Sequence, residues 1–171
     1  VITVTTGRNP SQSTRRLSKE IAGYIPETRR LLRGKLSLGQ LAEKIASEGL
    51  NRMILIYRGF GGPSQLELIR LDNFEFKRTP PTILLKNVEF KPAGKRRRTK
   101  VECVTADSKG SLRLARVLSN FLELPLAEYE NADFEYSLHL SEKGKNFTIS
   151  PVHLRTKEAM GFIISTKKLS W

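Results

Sequence analysis

Apolar and polar positions along the chain change period several times, and each change marks an element. Val1 to Thr5 reads as a strand; after a turn at Gly7 to Pro10, the spacing of Leu17, Ile21, Tyr24 and Ile25 predicts an amphipathic helix that Pro26 stops. A short strand is expected at Arg29 to Arg33, around Leu31 and Leu32. Ser37 with Gln40 three residues on has the spacing of a capping box, and Leu38, Leu41, Ala42 and Ile45 form the apolar stripe of a second helix ended by Gly49. Arg52 to Tyr57 is an apolar run of strand length, Gln65 to Leu71 alternates, and Gly59-Phe60-Gly61-Gly62-Pro63 between them reads as a hairpin loop. Thr82 to Phe90 is a further strand after Pro80-Pro81, and Lys91 to Lys100, with Pro92 and Gly94, reads as a linker or exposed hairpin. Beyond it a strand is predicted at Val101 to Thr105 and a helix at Ser108 to Leu122, with Leu114, Leu118, Phe121 and Leu122 on one face. Phe134, Tyr136, Leu138 and Leu140 alternate with polar residues as in a half-buried strand. Glu142 to Lys145 turns the chain into Phe147 to Leu154, and Gly161 to Thr166 forms a last short strand.

A constant offset of 97 carries residues 17, 21, 24 and 25 onto 114, 118, 121 and 122, and it also maps Ser11 onto Ser108, Arg16 onto Arg113, Lys19 onto Arg116 and Val4 onto Val101. Any two amphipathic helices share an apolar stripe, so the weight lies on the repeated cap and the repeated basic pair. Residues three apart share a helical face, here the one turned away from the stripe. The pattern predicts an α/β (α+β) chain of two related halves, 1–91 and 100–171, joined by a basic linker at 91–100, with no counterpart of the Ser37 helix in the second half.

Charge then narrows the function. Thirty Lys and Arg against 17 Asp and Glu in 171 residues leave a net charge of +13. Residues 1–36 hold Arg8, Arg15, Arg16, Lys19, Arg29, Arg30, Arg33 and Lys35 against only Glu20 and Glu27, while residues 91–100 hold six cations and no acid. Clustering of this kind favours a polyanionic partner, nucleic acid first, over a solvated basic surface. The longest apolar run, Met53 to Tyr57, is far short of the ~20 residues of a membrane-spanning helix, and the strand-like opening is not that of a signal peptide. Cys103 is the sole cysteine, which excludes a disulfide framework and points to a reducing compartment; with two histidines it is too little for a zinc site. No metal or cofactor is expected.

The turn Thr5 to Ser11 precedes a helix N-terminus, where unpaired N–H groups favour phosphate. Ser11 as a plain helix cap is the competing reading, and Arg15, Arg16 and Lys19 on the following turns weigh toward phosphate. Gly59, Gly61 and Gly62 lack the Lys-Ser or Lys-Thr of a nucleotide-binding loop. Neither His139 nor His153 has a recognisable partner for Cys103, so no catalytic residue is predicted. The few aromatic residues fall mostly in inward strand phases, which argues against a base-stacking platform for sequence-specific single strands. The candidate nucleic-acid contacts are Arg8, Ser11, Thr14, Arg15, Arg16, Lys19, Arg29, Arg30, Lys95, Arg96, Arg97, Arg98, Arg113 and Arg116.

Residues 5–21, with Thr-Thr, Arg8, Pro10-Ser11, a basic pair and Lys19-Glu20 before an aliphatic, resemble the opening motif of the Brix-domain family of ribosome-biogenesis proteins. A second resemblance lies at Arg58-Gly59 through Pro63 and Leu66, whereas the family's Leu-Pro-x-Gly-Pro-Thr stretch has only a loose echo in Pro80-Pro81-Thr82. The resemblance implies a single bare Brix domain of archaeal type, with two duplicated α/β halves similar to the anticodon-binding domain of some aminoacyl-tRNA synthetases. It further implies a cytoplasmic, non-catalytic monomer, or a nucleolar one in a eukaryote, that binds ribosomal RNA or its precursor together with other assembly proteins. The alternative is a protein-interaction scaffold among assembly factors with only loose RNA contact.

Overall fold

In the computed structural model, which describes residues 1–92, 99–130 and 133–171, strand β1 (Ile2–Thr6) is buried at every position. A strand buried on both faces must be covered on both. It pairs in parallel with β2 (Thr28–Arg30) on one side and β3 (Arg52–Gly59) on the other. The two crossovers carry helices α1 (Gln12–Tyr24) and α2 (Leu38–Ser47). Antiparallel β4 (Gly62–Asp72) and β5 (Glu75–Phe90) extend the order to β2-β1-β3-β4-β5.

Alternation on these strands decides which helix covers which face. Met53 and Leu55 pack with Leu41 and Ile45 of α2 and with Ile69, while Ile54 and Ile56 point the other way, in register with Val4 and Thr6. Arg30, also in register with Val4, bonds Ser18 of α1, whereas its neighbour Arg29 pairs with Glu48 at the end of α2. The helices therefore lie on opposite faces, with Leu17 and Ile21 of α1 fully buried. The capping box of α2 is present as the spacing predicts: Gln40 N donates to Ser37 Oγ (3.1 Å) and Ser37 N donates to Gln40 Oε1 (2.9 Å).

The chain divides into two units, the first comprising Val1–Ala22, Glu27–Leu84 and Leu169–Trp171, the second Gly23–Pro26 and Leu85–Lys168. In the second unit β6 (Cys103–Ala106) pairs in parallel with β7 (Leu126–Glu128) and β8 (Tyr136–Lys143), and α3 (Lys109–Leu122) forms the crossover between β6 and β7. Antiparallel β9 (Asn146–His153) follows, with β10 (Glu158–Ala159) and β11 (Phe162–Ser170) both antiparallel to β9. Its order β7-β6-β8-β9 has the same pairing senses as β2-β1-β3-β4.

Several expectations need correction. Leu31 and Leu32 lie outside β2, whose register with β1 ends at Arg30, although Leu31 N still donates to Val4 O (2.8 Å). β5 begins at Glu75 and runs through Pro80-Pro81, which sit where its register with β4 shifts between Leu66 and Leu68; residues without an N–H are tolerated at such an irregularity. β8 is buried on both faces, Ser137 and His139 included, so the half-buried reading fails. The offset of 97 holds for the helix starts but not for the strands: five residues separate β1 from α1 and two separate β6 from α3, so Val101 precedes β6 and is no partner of Val4. The short β7 and β10 carry too few residues to show a period. The basic run Lys95 to Arg98 lies outside the described residues.

Candidate nucleic-acid interface

The first β-to-α turn is held from below and from behind. Gly7 N donates to Ile56 O at 2.9 Å, and a Cβ at Gly7 would lie 2.9 Å from Tyr57 Cδ1, so the chain must cross close over the ring there. Ser11 Oγ accepts from Thr14 N (3.2 Å) and bonds Thr14 Oγ1 (2.7 Å) and Ser13 Oγ (3.3 Å). Thr14 is fully buried. These two hydroxyls therefore build the cap of α1, and Thr14 is removed from the surface contacts predicted for it.

Beside the turn lies a groove of about 500 Å³. Asn9 and Pro10 form one wall, Arg15 and Ser18 of α1 the next, and residues 30–35 the third. Ser18 Oγ donates to Arg15 O (2.7 Å) and accepts from Arg30 Nε (3.0 Å), which fixes Arg30 along the helix. Arg33 is only 6% exposed. Its Nε donates to Leu36 O (2.7 Å) and its Nη1 to Thr6 O (3.1 Å), so backbone carbonyls hold the guanidinium and no described carboxylate does. Burial pulls its pKa down, Tyr57 opposes this, and Arg8 pulls it down further. A guanidinium stays charged regardless. Lys35 completes the cationic lining. The segments that build this region, residues 1–19, 28–42 and 49–66, contain no Asp or Glu.

Of the predicted contacts, the fold brings Arg15 and Arg30 into the groove and leaves Arg8 exposed near Arg33. Arg16 and Lys19 are exposed on α1, and Arg113 and Arg116 are exposed on α3 in the second unit. Arg29 is corrected: it alternates to the opposite strand face and is paired with Glu48. Arg33, Lys35 and Ser18 also line the groove and were not among the predicted contacts. Arg33 falls in the expected strand around Leu31 and Leu32, and the usable signal was the acid-free run 28–42 with its four cations.

Polar chemistry in the second unit is structural. Cys103 is buried, which pushes its thiol up to about 11, and it faces Tyr136 O at 3.8 Å. Register places His139 opposite Thr105 rather than Cys103. His139 Nδ1 bonds Thr105 Oγ1 (2.8 Å), Thr105 Oγ1 bonds Ser137 Oγ (2.9 Å), and Tyr129 stacks on the imidazole at 3.8 Å. Asp107 Oδ2 lies 3.8 Å from His139 Nε2, so this histidine has partners that the sequence did not reveal. Thr105 is fully buried, out of reach of any substrate. A second cavity, of about 490 Å³, is lined by Glu130, Asp133 and Glu135 as well as Arg155 and Lys157, a mixed surface unsuited to a polyanion. Among the described residues no cluster of three or more His, Cys, Asp or Glu could hold a metal ion.

The sequence matches no family model and no curated protein. Solved structures do resemble it. A probable ribosomal biogenesis protein from Aeropyrum pernix K1 superposes with a TM-score of 0.77 at 18% identity, over 98% of this chain and 95% of that one. Mil, an archaeal Imp4-like protein, superposes with a TM-score of 0.69 at 19% identity, over 98% and 97%. Over nearly its whole length, then, the chain shares its mixed α/β fold with these two archaeal proteins.

Proposed function

We propose that the chain is a Brix-type factor of ribosome biogenesis, non-catalytic, which grips ribosomal RNA or its precursor by the phosphates through the groove of the first unit. One observation carries this reading: a buried Arg33 with no described carboxylate, in a groove whose other charged residues are all cations. Phosphate is the ligand that a fork of guanidinium donors matches best. The motif at residues 5–21 and the shared fold with a protein named for ribosomal biogenesis support the biological setting. The matched strand order of the two units supports an origin by duplication. Leu32, 73% exposed in the groove lining, favours the rival reading of a scaffold that takes a protein segment there. Ultraviolet crosslinking in the protein's own cells decides between them. Pre-ribosomal fragments attached to peptides from residues 7–19 and 28–36 are expected; protein crosslinks alone at those peptides would favour the scaffold.

A further inference from the structure

Phe60 is the most exposed large apolar side chain among the described residues, with a relative exposure of 112%. Gly59 and Gly62 face each other across the β3–β4 pair, which leaves Phe60-Gly61 as a two-residue tip. Gly61 takes a φ of 80°, the value a type II turn needs at its third position. The base of the tip is pinned. Gly62 has a φ of 137°, and a Cβ there would lie 2.9 Å from Ser13 Oγ on the first turn of α1. On the other strand of the same hairpin, close to the tip, Tyr57 lies against Gly7. The ring thus stands on a short turn fastened to the loop and helix that wall the cationic groove.

Charge separates this phenylalanine from the other one at a hairpin tip. Phe74, 67% exposed between β4 and β5, is flanked by Asp72, which Lys77 pairs, and by Glu75, so acids stand beside that ring. Phe60 sits two residues from the exposed Arg58, in a stretch, residues 49–66, that holds no acid. An aromatic face beside fixed cations is the arrangement by which proteins hold unpaired nucleotides, the ring taking the base and the cations the backbone.

We propose that Phe60 is a stacking platform for an unpaired RNA base adjoining the phosphates held in the groove, an inference that rests on the RNA reading of that groove. The site would then select single-stranded or bulged RNA over continuous duplex, because a paired base cannot leave its stack without cost. The test uses a single-stranded RNA oligonucleotide carrying 2-aminopurine and a fully paired duplex of the same sequence, bound to wild type, Phe60→Ala, Phe60→Trp and the double variant Arg15→Ala/Arg30→Ala. Phe60→Ala should weaken single-strand binding about 5- to 150-fold and abolish quenching of the 2-aminopurine, with little change for the duplex. Phe60→Trp should retain both affinity and quenching. The double arginine variant should weaken both RNAs. Equal single-strand affinity of Phe60→Ala and wild type would overturn the inference and leave the groove reading intact. Loss of equal size on both RNAs would also overturn it. A wild type that binds neither RNA would overturn the groove reading, and the stacking inference with it.

Discussion

A single strand of alternating side chains sorts two adjacent arginines into different roles. Arg29 reaches Glu48 on the face of α2, and Arg30 reaches Ser18 on the face of α1 and lines the groove. Arg30→Ala should weaken RNA binding several-fold in a filter or anisotropy titration, while Arg29→Ala should change it little. A partly exposed ion pair of this kind is worth ~0–1 kcal/mol, so the Arg29 variant should fold. Cys103 is both buried and held in its thiol form, so the folded protein should resist iodoacetamide at pH 8, and Cys103→Ser should keep RNA binding. His139 gives a pH dependence. Burial lowers its pKa below the ordinary value, against the opposing effect of Asp107. The folded state therefore binds the proton less well than the unfolded chain, so stability present above about pH 6.5 falls as the pH drops below it. Urea midpoints should decrease between pH 7.5 and 5.5 in wild type, and less so in His139→Gln. None of these partners was legible in the sequence: Thr105 and Asp107 meet His139 only through strand register, at a separation of 34 and 32 positions.

Elements with a full period and a local stop signal were readable before the fold was known. α2 is the clearest, since its cap, its stripe and its terminating Gly49 all lie within one stretch of chain, and each acts through local physics. Ser37→Ala should lower the unfolding free energy by about 1 kcal/mol and Leu41→Ala by about 2–5 kcal/mol in chemical denaturation. The larger value follows from the complete burial of Leu41 against Met53 and Leu55. What the sequence concealed was set by neighbours. β5 reads as broken at Pro80-Pro81, yet the shifted register against β4 accommodates both prolines. β8 alternates like a surface strand, yet Ser137 and His139 are buried because Thr105 Oγ1 on β6 bonds both of them. The turn after β1 was legible from its local signals, but its hydroxyls close the helix cap, and most of the cations that line the groove beside it arrive from residues 30–35 across the strand pair.

At the scale of the whole chain, a net charge of +13 is distributed so that the segments forming one groove carry cations alone. Composition made a polyanion the expected partner, and topology gathers the cations in one groove. Both units use a helix to connect the parallel strands, but the first unit has the longer turn before its helix, five residues against two, and that extra chain is what gives the groove its Asn9 and Pro10 wall. The claim that this groove holds RNA phosphates reduces to a count of charges, and the salt dependence of affinity measures that count. Five cations, Arg8, Arg15, Arg30, Arg33 and Lys35, should give a plot of log affinity against log salt with a slope of about −3.5 for single-stranded RNA, or about −4.5 for duplex. Arg15→Ala/Arg30→Ala should reduce that slope by about 1.4 to 1.8 and weaken every RNA sequence by a similar factor, because phosphate contacts read no bases. A wild-type slope near zero, or a double variant that keeps the wild-type slope, would contradict the account.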